Sequence, residues 1–291
     1  MHRRMRLFAL PALFVLIPLV FAPSPAGAQG AALKLFGVYG SIGAGDAQEG
    51  LDGMTNFYRQ IAEIAGWSRT GDFKKFTNIW EAGGDFVFYF TPVIGIGLGA
   101  SYLQNWPAKT DMTFTHPPSS DIKQTLTPKV AAIPIRASLY VSIPMGSSLN
   151  LSLHGGVSYY FANFNYTWRL GTASDWIQVE TKTNGKGLGF HGGVGLEFNF
   201  SSSAALFVEA VGRIANLSGF TGDSTLSVSG GGSASTSGTL YFWKDDFGIL
   251  GVLSELGIND HLPSGSGITD AREAEVDLSG FSLRAGFRIG L

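Results

Sequence analysis

Between Ile94 and Gln104 the chain places Ile94, Ile96, Leu98, Ala100 and Tyr102 on one face and Gly95, Gly97, Gly99 and Ser101 on the other. Side chains that alternate with a period of two are the mark of a β-strand. The same alternation predicts eight strands, at roughly 33–45, 79–91, 93–104, 127–143, 148–169, 183–201, 204–216 and 276–291. The connections after the second, fourth and sixth are short: Thr91-Pro92, Pro144-Met145-Gly146-Ser147-Ser148 and Ser201-Ser202-Ser203. Those after the first, third, fifth and seventh are long, covering 46–78, 105–126, 170–182 and 217–275.

An even number of alternating strands with short and long connections in turn predicts an all-β fold, an eight-stranded antiparallel transmembrane β-barrel. In lipid every backbone donor and acceptor must find a protein partner, so a spanning sheet has to close on itself. The short connections become periplasmic turns and the long ones extracellular loops, with both termini on the periplasmic side. Proline fits this register: Pro92 and Pro144 fall in turns, and Pro107, Pro117, Pro118 and Pro263 in long loops. Pro134 falls inside the fourth strand, where a bulge or bound water is expected. A soluble ligand-binding barrel shares the alternation, but its lumen would have to hold the whole Phe, Leu, Ile and Val load of eight strands.

Two loops carry their own patterns. Asp52–Gly66 repeats Met54, Tyr58, Ile61 and Ala65 at helical spacing, with an Arg59–Glu63 pair, Asp52 as expected cap and Gly66 as stop. This predicts a short amphipathic helix packed on the barrel rim, the alternative being a lid. In the last long loop, 225–229 and 239–242 flank Gly230-Gly231-Gly232-Ser233 and read as a hairpin with a flexible tip.

At the N-terminus Arg3, Arg4 and Arg6 precede an apolar run from Leu7 to Phe21, and Ala26-Gly27-Ala28 offers a small-residue cleavage site before Gln29. Residues 1–28 are therefore expected to be a signal peptide cut between Ala28 and Gln29, leaving 29–291 as one barrel domain. Removing those residues takes away three arginines and moves the net charge from −2 to −5. That balance argues against nucleic acid, which calls for a concentrated basic face. The chain has no cysteine, so stability is expected from the closed ladder and the surrounding lipid.

Chemistry concentrates on the inward face. The alternation directs Glu81, Asp85, Arg136, His154, His191, Glu197, Glu209, Arg213, Arg284 and Arg288 into the lumen. An eight-stranded lumen is just wide enough to be filled by side chains, and buried charges are normally paired. These residues are expected to form a salt-bridged plug, the sharper alternative being a gated pathway or a catalytic carboxylate and histidine pair. His154 and Ser158 share a face of the fifth strand, but no motif around them supports a catalytic triad. His154 and His191 lack an obvious third ligand, so no metal and no cofactor is expected. The alternating glycines at 95, 97 and 99 have no helix start after them, as a phosphate loop would need. Trp80, Phe90, Tyr102, Trp106, Phe161, Trp168 and Phe200 are expected in aromatic girdles at the two membrane interfaces.

Val130–Ser142 (VAAIPIRASLYVS), Leu188–Phe200 (LGFHGGVGLEFNF), Phe207–Arg213 (FVEAVGR) and Val276–Leu291 (VDLSGFSLRAGFRIGL) together resemble the small outer-membrane β-barrel domain family of Gram-negative bacteria, of OmpX, OmpA and OmpW type. The resemblance spans nearly the whole chain after the signal. It implies an eight-stranded monomer in the outer membrane, with membrane lipid and the barrel-assembly machinery as partners. A surface ligand or a small hydrophobic solute is the further partner implied. Such barrels usually finish on an aromatic residue, whereas this chain ends Ile289-Gly290-Leu291, with Phe287 the nearest substitute. The leading functional expectation is a non-enzymatic surface and envelope protein. A porin-like passive channel for small, mainly apolar solutes comes second, and a lipid-modifying enzyme third.

Overall fold

The computed structural model describes residues 30–115 and 121–291. The expected signal peptide with its Ala28–Gln29 junction, and the two loop prolines at 117 and 118, lie outside the described residues.

Eight antiparallel strands close a ring. In chain order they are β1 (Gly30–Ser41), β3 (Asn78–Tyr89), β4 (Ile94–Asn105), β6 (Ile122–Pro144), β7 (Leu149–Gly171), β8 (Trp176–Asn199), β9 (Ala204–Ile214) and β16 (Gly280–Gly290). Each pairs with the next, and β16 returns to β1 through a register running from Ala32 opposite Gly290 to Gly40 opposite Ser282. The Leu291 N–H donates to the Ala31 carbonyl at 2.8 Å, extending the closure to the last residue. A ring has no unpaired edge, which a spanning sheet requires. The short turns sit at one end, and the Thr91 hydroxyl oxygen holds the first by accepting from the Ile94 N–H at 2.8 Å.

Strands β6, β7 and β8 run 23, 23 and 24 residues, about twice the 9–11 residues that cross a membrane. Their alternation continues throughout, but its polarity inverts partway. On β6, Ile133, Ile135 and Leu139 point outward and Arg136 and Ser138 inward, whereas farther along Leu126 and Val130 point inward and Lys123, Thr127 and Lys129 outward. The same switch falls between Phe161 and Asn163 on β7 and between Leu188 and Lys186 on β8. Apolar-out over a polar lumen suits lipid, and polar-out over an apolar interior suits water. The inversion therefore marks the outer membrane boundary, with the long-loop half of the molecule standing clear of it.

That outer half is an extended sheet grown on β6, β7 and β8. On one flank β5 (Thr110–Thr115) pairs with β6, and β2 (Ser68–Thr70) with β5. On the other, β11 (Thr221–Val228) pairs with β8, β12 (Ser233–Asp246) with β11, and β13 (Val252–Asn259) and β14 (Thr269–Glu273) with β12. β10 (Asn216–Leu217) and β15 (Val276–Asp277) form a small bridge. The single α-helix among the described residues, α1 (Asp46–Ile64), lies across β13 and reaches β2, closing the opening between the two flanks. A large apolar core fills this compartment, including Leu51 of α1, Phe76, Leu126, Phe164, Tyr166, Leu217, Phe220, Phe242, Leu256 and Val276.

The structure corrects several expectations. α1 begins at Asp46 rather than Asp52, because the Asp46 carboxylate is held by the Arg272 guanidinium (2.7 and 3.2 Å) and accepts the Glu275 N–H at 3.0 Å. Asp52 is thus mid-helix and no cap; the Arg59–Glu63 pair forms at 3.8 Å, and Gly66 follows the helix at φ +71°. Pro134 causes no bulge: β6–β7 pairing runs unbroken through Pro134 opposite Tyr160. On its other side β4–β6 pairing pauses between Ala100–Ile135 and Leu103–Ala132 and resumes in the same register, so the missing donor costs two ladder positions and no shift. A hairpin forms in the last long loop, but with arms 221–227 and 233–239, Thr225 opposite Ser235, so 233–238 belong to an arm and not to the tip, while β13 and β14 lie in residues read as loop.

Candidate functional site

The ten charged and histidine residues assigned to the lumen lie inside the ring, and the eight charged ones join into one network at the depth of the lipid-facing belt. Arg136 on β6 reaches two carboxylates of β3, with Nη1 3.1 Å from Glu81 Oε1 and Nη2 2.9 Å from Asp85 Oδ1. Its Nη1 also donates to the Ser101 hydroxyl at 2.6 Å, and Ser101 donates onward to Glu81 at 2.6 Å. Arg213 on β9 reaches the other Glu81 oxygen at 3.1 Å. Arg284 on β16 lies between Asp85 (3.3 Å) and Glu209 (3.7 Å), and Tyr140 donates to Asp85 at 2.8 Å. Arg288 holds Glu197 at 2.5 Å, nearer the short-turn mouth.

The sequence reading missed the centre of one half of this network. Lys34 on β1 is 1 % exposed and donates to Glu209 at 2.6 Å, with Glu197 at 3.9 Å. Its ammonium also sits 4.2 Å from the centre of the Phe207 ring, a cation–π contact. Lys34 alternates with Ala32, Phe36 and Val38 on the buried face of β1, so applying the period of two to that strand would have found it. Ser101, Ser138, Ser152 and Tyr140 were missed too, because small hydroxyls on an inward face look like filler until a charge is placed beside them.

Five cations (Lys34, Arg136, Arg213, Arg284 and Arg288) thus meet four carboxylates (Glu81, Asp85, Glu197 and Glu209). Six different strands contribute, so the network ties opposite walls together across the lumen. Gly99 makes room for it: a Cβ there would lie 1.7 Å from Asp85 Oδ1.

The histidines do something different from the pair suggested by sequence. Ser158 bonds His191 Nδ1 at 2.8 Å, and Ser138 bonds His191 Nε2 at 2.8 Å. His154 instead stacks on Tyr140 with ring centres 5.4 Å apart, its Nδ1 3.8 Å from Glu209. With both ring nitrogens of His191 occupied by hydroxyls, and Ser158 and Ser138 buried, the arrangement is a bracing contact across β6, β7 and β8. Among the described residues no three His, Asp or Glu side chains cluster as metal ligands.

Of the expected girdle residues, Phe90 and Phe200 are exposed at the short-turn rim, and Tyr102, Trp106 and Phe161 are exposed toward the outer boundary. Trp80 is half-buried against Tyr102, ring centres 5.5 Å apart. Trp168 departs from the expectation: it lies beyond the boundary, where the inward face is apolar, and packs inside the outer core against Tyr58 of α1 at 5.4 Å.

The sequence matches the family described as outer membrane protein beta-barrel domain over residues 12–229. No curated protein matches the chain. Among solved structures it is similar to the outer membrane protein OprG from Pseudomonas aeruginosa, at 12 % identity and TM-score 0.41, covering 91 % of this chain and 96 % of that one. It is also similar to the outer membrane protein AlkL, seen in lipid bilayers, at 11 % identity and TM-score 0.34, covering 93 % and 95 %. The outer membrane protease OmpT from Escherichia coli matches at 10 % identity and TM-score 0.35, covering 94 % and 100 %.

Proposed function

The chain belongs to the outer membrane protein β-barrel domain family and resides in the outer membrane of a Gram-negative bacterium, and from that premise we propose that it is a non-enzymatic, closed barrel with a surface and envelope role. The observation that carries this reading is the double closure of the lumen. Cross-wall ion pairs fill the membrane segment, and an apolar core roofed by α1 fills the segment above it. A charge that left this network would leave its partner buried and unpaired, a state costing about 3–5 kcal/mol. The hydroxyls nearest a histidine are buried and point away from both lipid and solvent, which supports a role without catalysis.

One observation favours a second reading, lateral passage of small apolar solutes. Pairing between β8 and β9 ends at Phe190–Ile214, and pairing between β8 and β11 begins only at Asn184–Thr221. Between them Gly185, Gly187 and Gly189 face Phe220, Leu217 and Ala215, which belong to the outer core. Uptake of the apolar dye N-phenylnaphthylamine by cells with and without the protein separates the two. Equal uptake is expected for the closed barrel. Faster uptake that disappears on oxidising a Gly189→Cys, Ala215→Cys pair would replace it with the lateral route.

A further inference from the structure

The lipid-facing surface along β8 carries two depressions in line. The outer one, about 300 Å³, lies at the polarity switch and is lined by Phe161, Asn163, Asn184, Gly185, Lys186 and Gly219, among others. Asn163 donates to Asn184 at 3.1 Å across its floor, and among the described residues the Asn184 Nδ2 donates to no partner. Lys186 is exposed and, among the described residues, holds no ion pair. The nearest carboxylate along this face of β8, Glu180, is closed on Lys182 at 2.6 Å and lies farther out.

The inner depression, about 490 Å³, begins on the lipid side of the switch. Its walls are Phe190, Ile214 and Phe281, all more than 60 % exposed, and its floor is the cross-strand pair Gly192–Gly212. At the strand rise of about 3.3 Å per residue, Gly192 lies roughly 20 Å along β8 from Lys186. A cation and free amide at the headgroup level, set above an apolar trough at acyl-chain depth, match one amphiphile in both charge and polarity.

We infer that this side of the barrel seats one phosphorylated lipid of the outer leaflet, its phosphate at Lys186 and Asn184 and one acyl chain in the trough floored by Gly192 and Gly212. The site is independent of whether the lumen conducts. It is built only from outward-facing side chains, so substitutions in it leave the ion-pair network untouched.

The test is native mass spectrometry of the full detergent-solubilised chain with diphosphorylated lipid A, its dephosphorylated counterpart and inorganic phosphate. One lipid A per chain is expected, with the dephosphorylated form retained about ten-fold less. Lys186→Gln is expected to weaken retention about ten-fold. Gly192→Leu is expected to weaken it several-fold by filling the trough, since a Cβ there comes no closer than 3.4 Å to the His154 carbonyl oxygen. Lys123→Gln, on the outer sheet, serves as the unchanged control. Heat-modifiable electrophoretic mobility verifies folding, and Gly212→Ala substitutes for any trough variant that does not fold. Equal retention of the dephosphorylated lipid, or unchanged retention in Lys186→Gln, overturns the proposal. Displacement of the lipid by millimolar inorganic phosphate also overturns it, because the site would then be one for free anions.

Discussion

Arg136 touches Glu81, Asp85 and Ser101 at once, so its removal uncovers two buried carboxylates in the lumen. Breaking one member of a buried pair typically costs about 3–5 kcal/mol, and Arg136→Ala is expected to lower stability by that order in urea unfolding from vesicles. An unchanged midpoint would mean that the network is hydrated and weak. A different residue controls the outer half. Burial, with Asp245 adding to it, pushes the Glu255 carboxyl on β13 up to about 7. It lies beside Tyr58 of α1, while Lys244 on the neighbouring strand is taken by Glu49 at 3.2 Å. Because the folded state holds this proton more tightly, its stabilising effect is fully present below about 4.5 and is lost as pH rises through about 7. The protection factor of α1 against hydrogen exchange is therefore expected to fall across that window, and Glu255→Gln is expected to flatten the dependence. At residue scale the charges were legible from alternation alone, whereas their partners were not: the Arg136 contacts span 51 and 55 residues of sequence, and no local pattern encodes them.

Element by element, the eight ring strands were readable because lipid on one side and charge on the other sharpen the period of two. β8 gives the cleanest check. Single cysteines at 194, 196 and 198 are expected to be quenched by lipid-borne quenchers, and cysteines at 195 and 197 to escape them, since Val194, Leu196 and Phe198 are outward and Glu197 is buried. Leu196→Arg is expected to cost roughly 2–4 kcal/mol if near the midplane. The two cysteine sets behaving alike would contradict the register. The outer sheet was harder to see. Its strands are rich in Ser, Thr and Gly, as in Thr221–Val228 and Ser233–Asp246, a composition shared with loops. The signal that was present, the reversal of the apolar face at Lys129, Asn163 and Lys186, requires following one strand past the membrane. α1 was legible as a helix but not in its seating. Gly53 lets it lie directly on β13, where a Cβ would come 1.9 Å from the Ser254 carbonyl oxygen. Gly53→Leu is expected to lift the helix and expose it to protease while the ring stays heat-modifiable.

For the whole molecule, the consequence of closure is that two dissimilar interiors are stacked along one axis: ion pairs within the membrane and an apolar core beyond it. Sequence patterning gave the ring and the side each residue faces, because both follow from the short-range alternation that lipid enforces. It did not give the second compartment, because that depends on strands 23 and 24 residues long carrying an outward extension of the same sheet, which α1 completes. On the closed-barrel reading proposed above, ions pass only if several buried pairs part together. Planar-bilayer recording of the refolded full chain tests this most directly. The account predicts no steady single-channel current for the natural sequence and the appearance of conducting events in Arg136→Ala; a steady unitary current through the unaltered protein would contradict it.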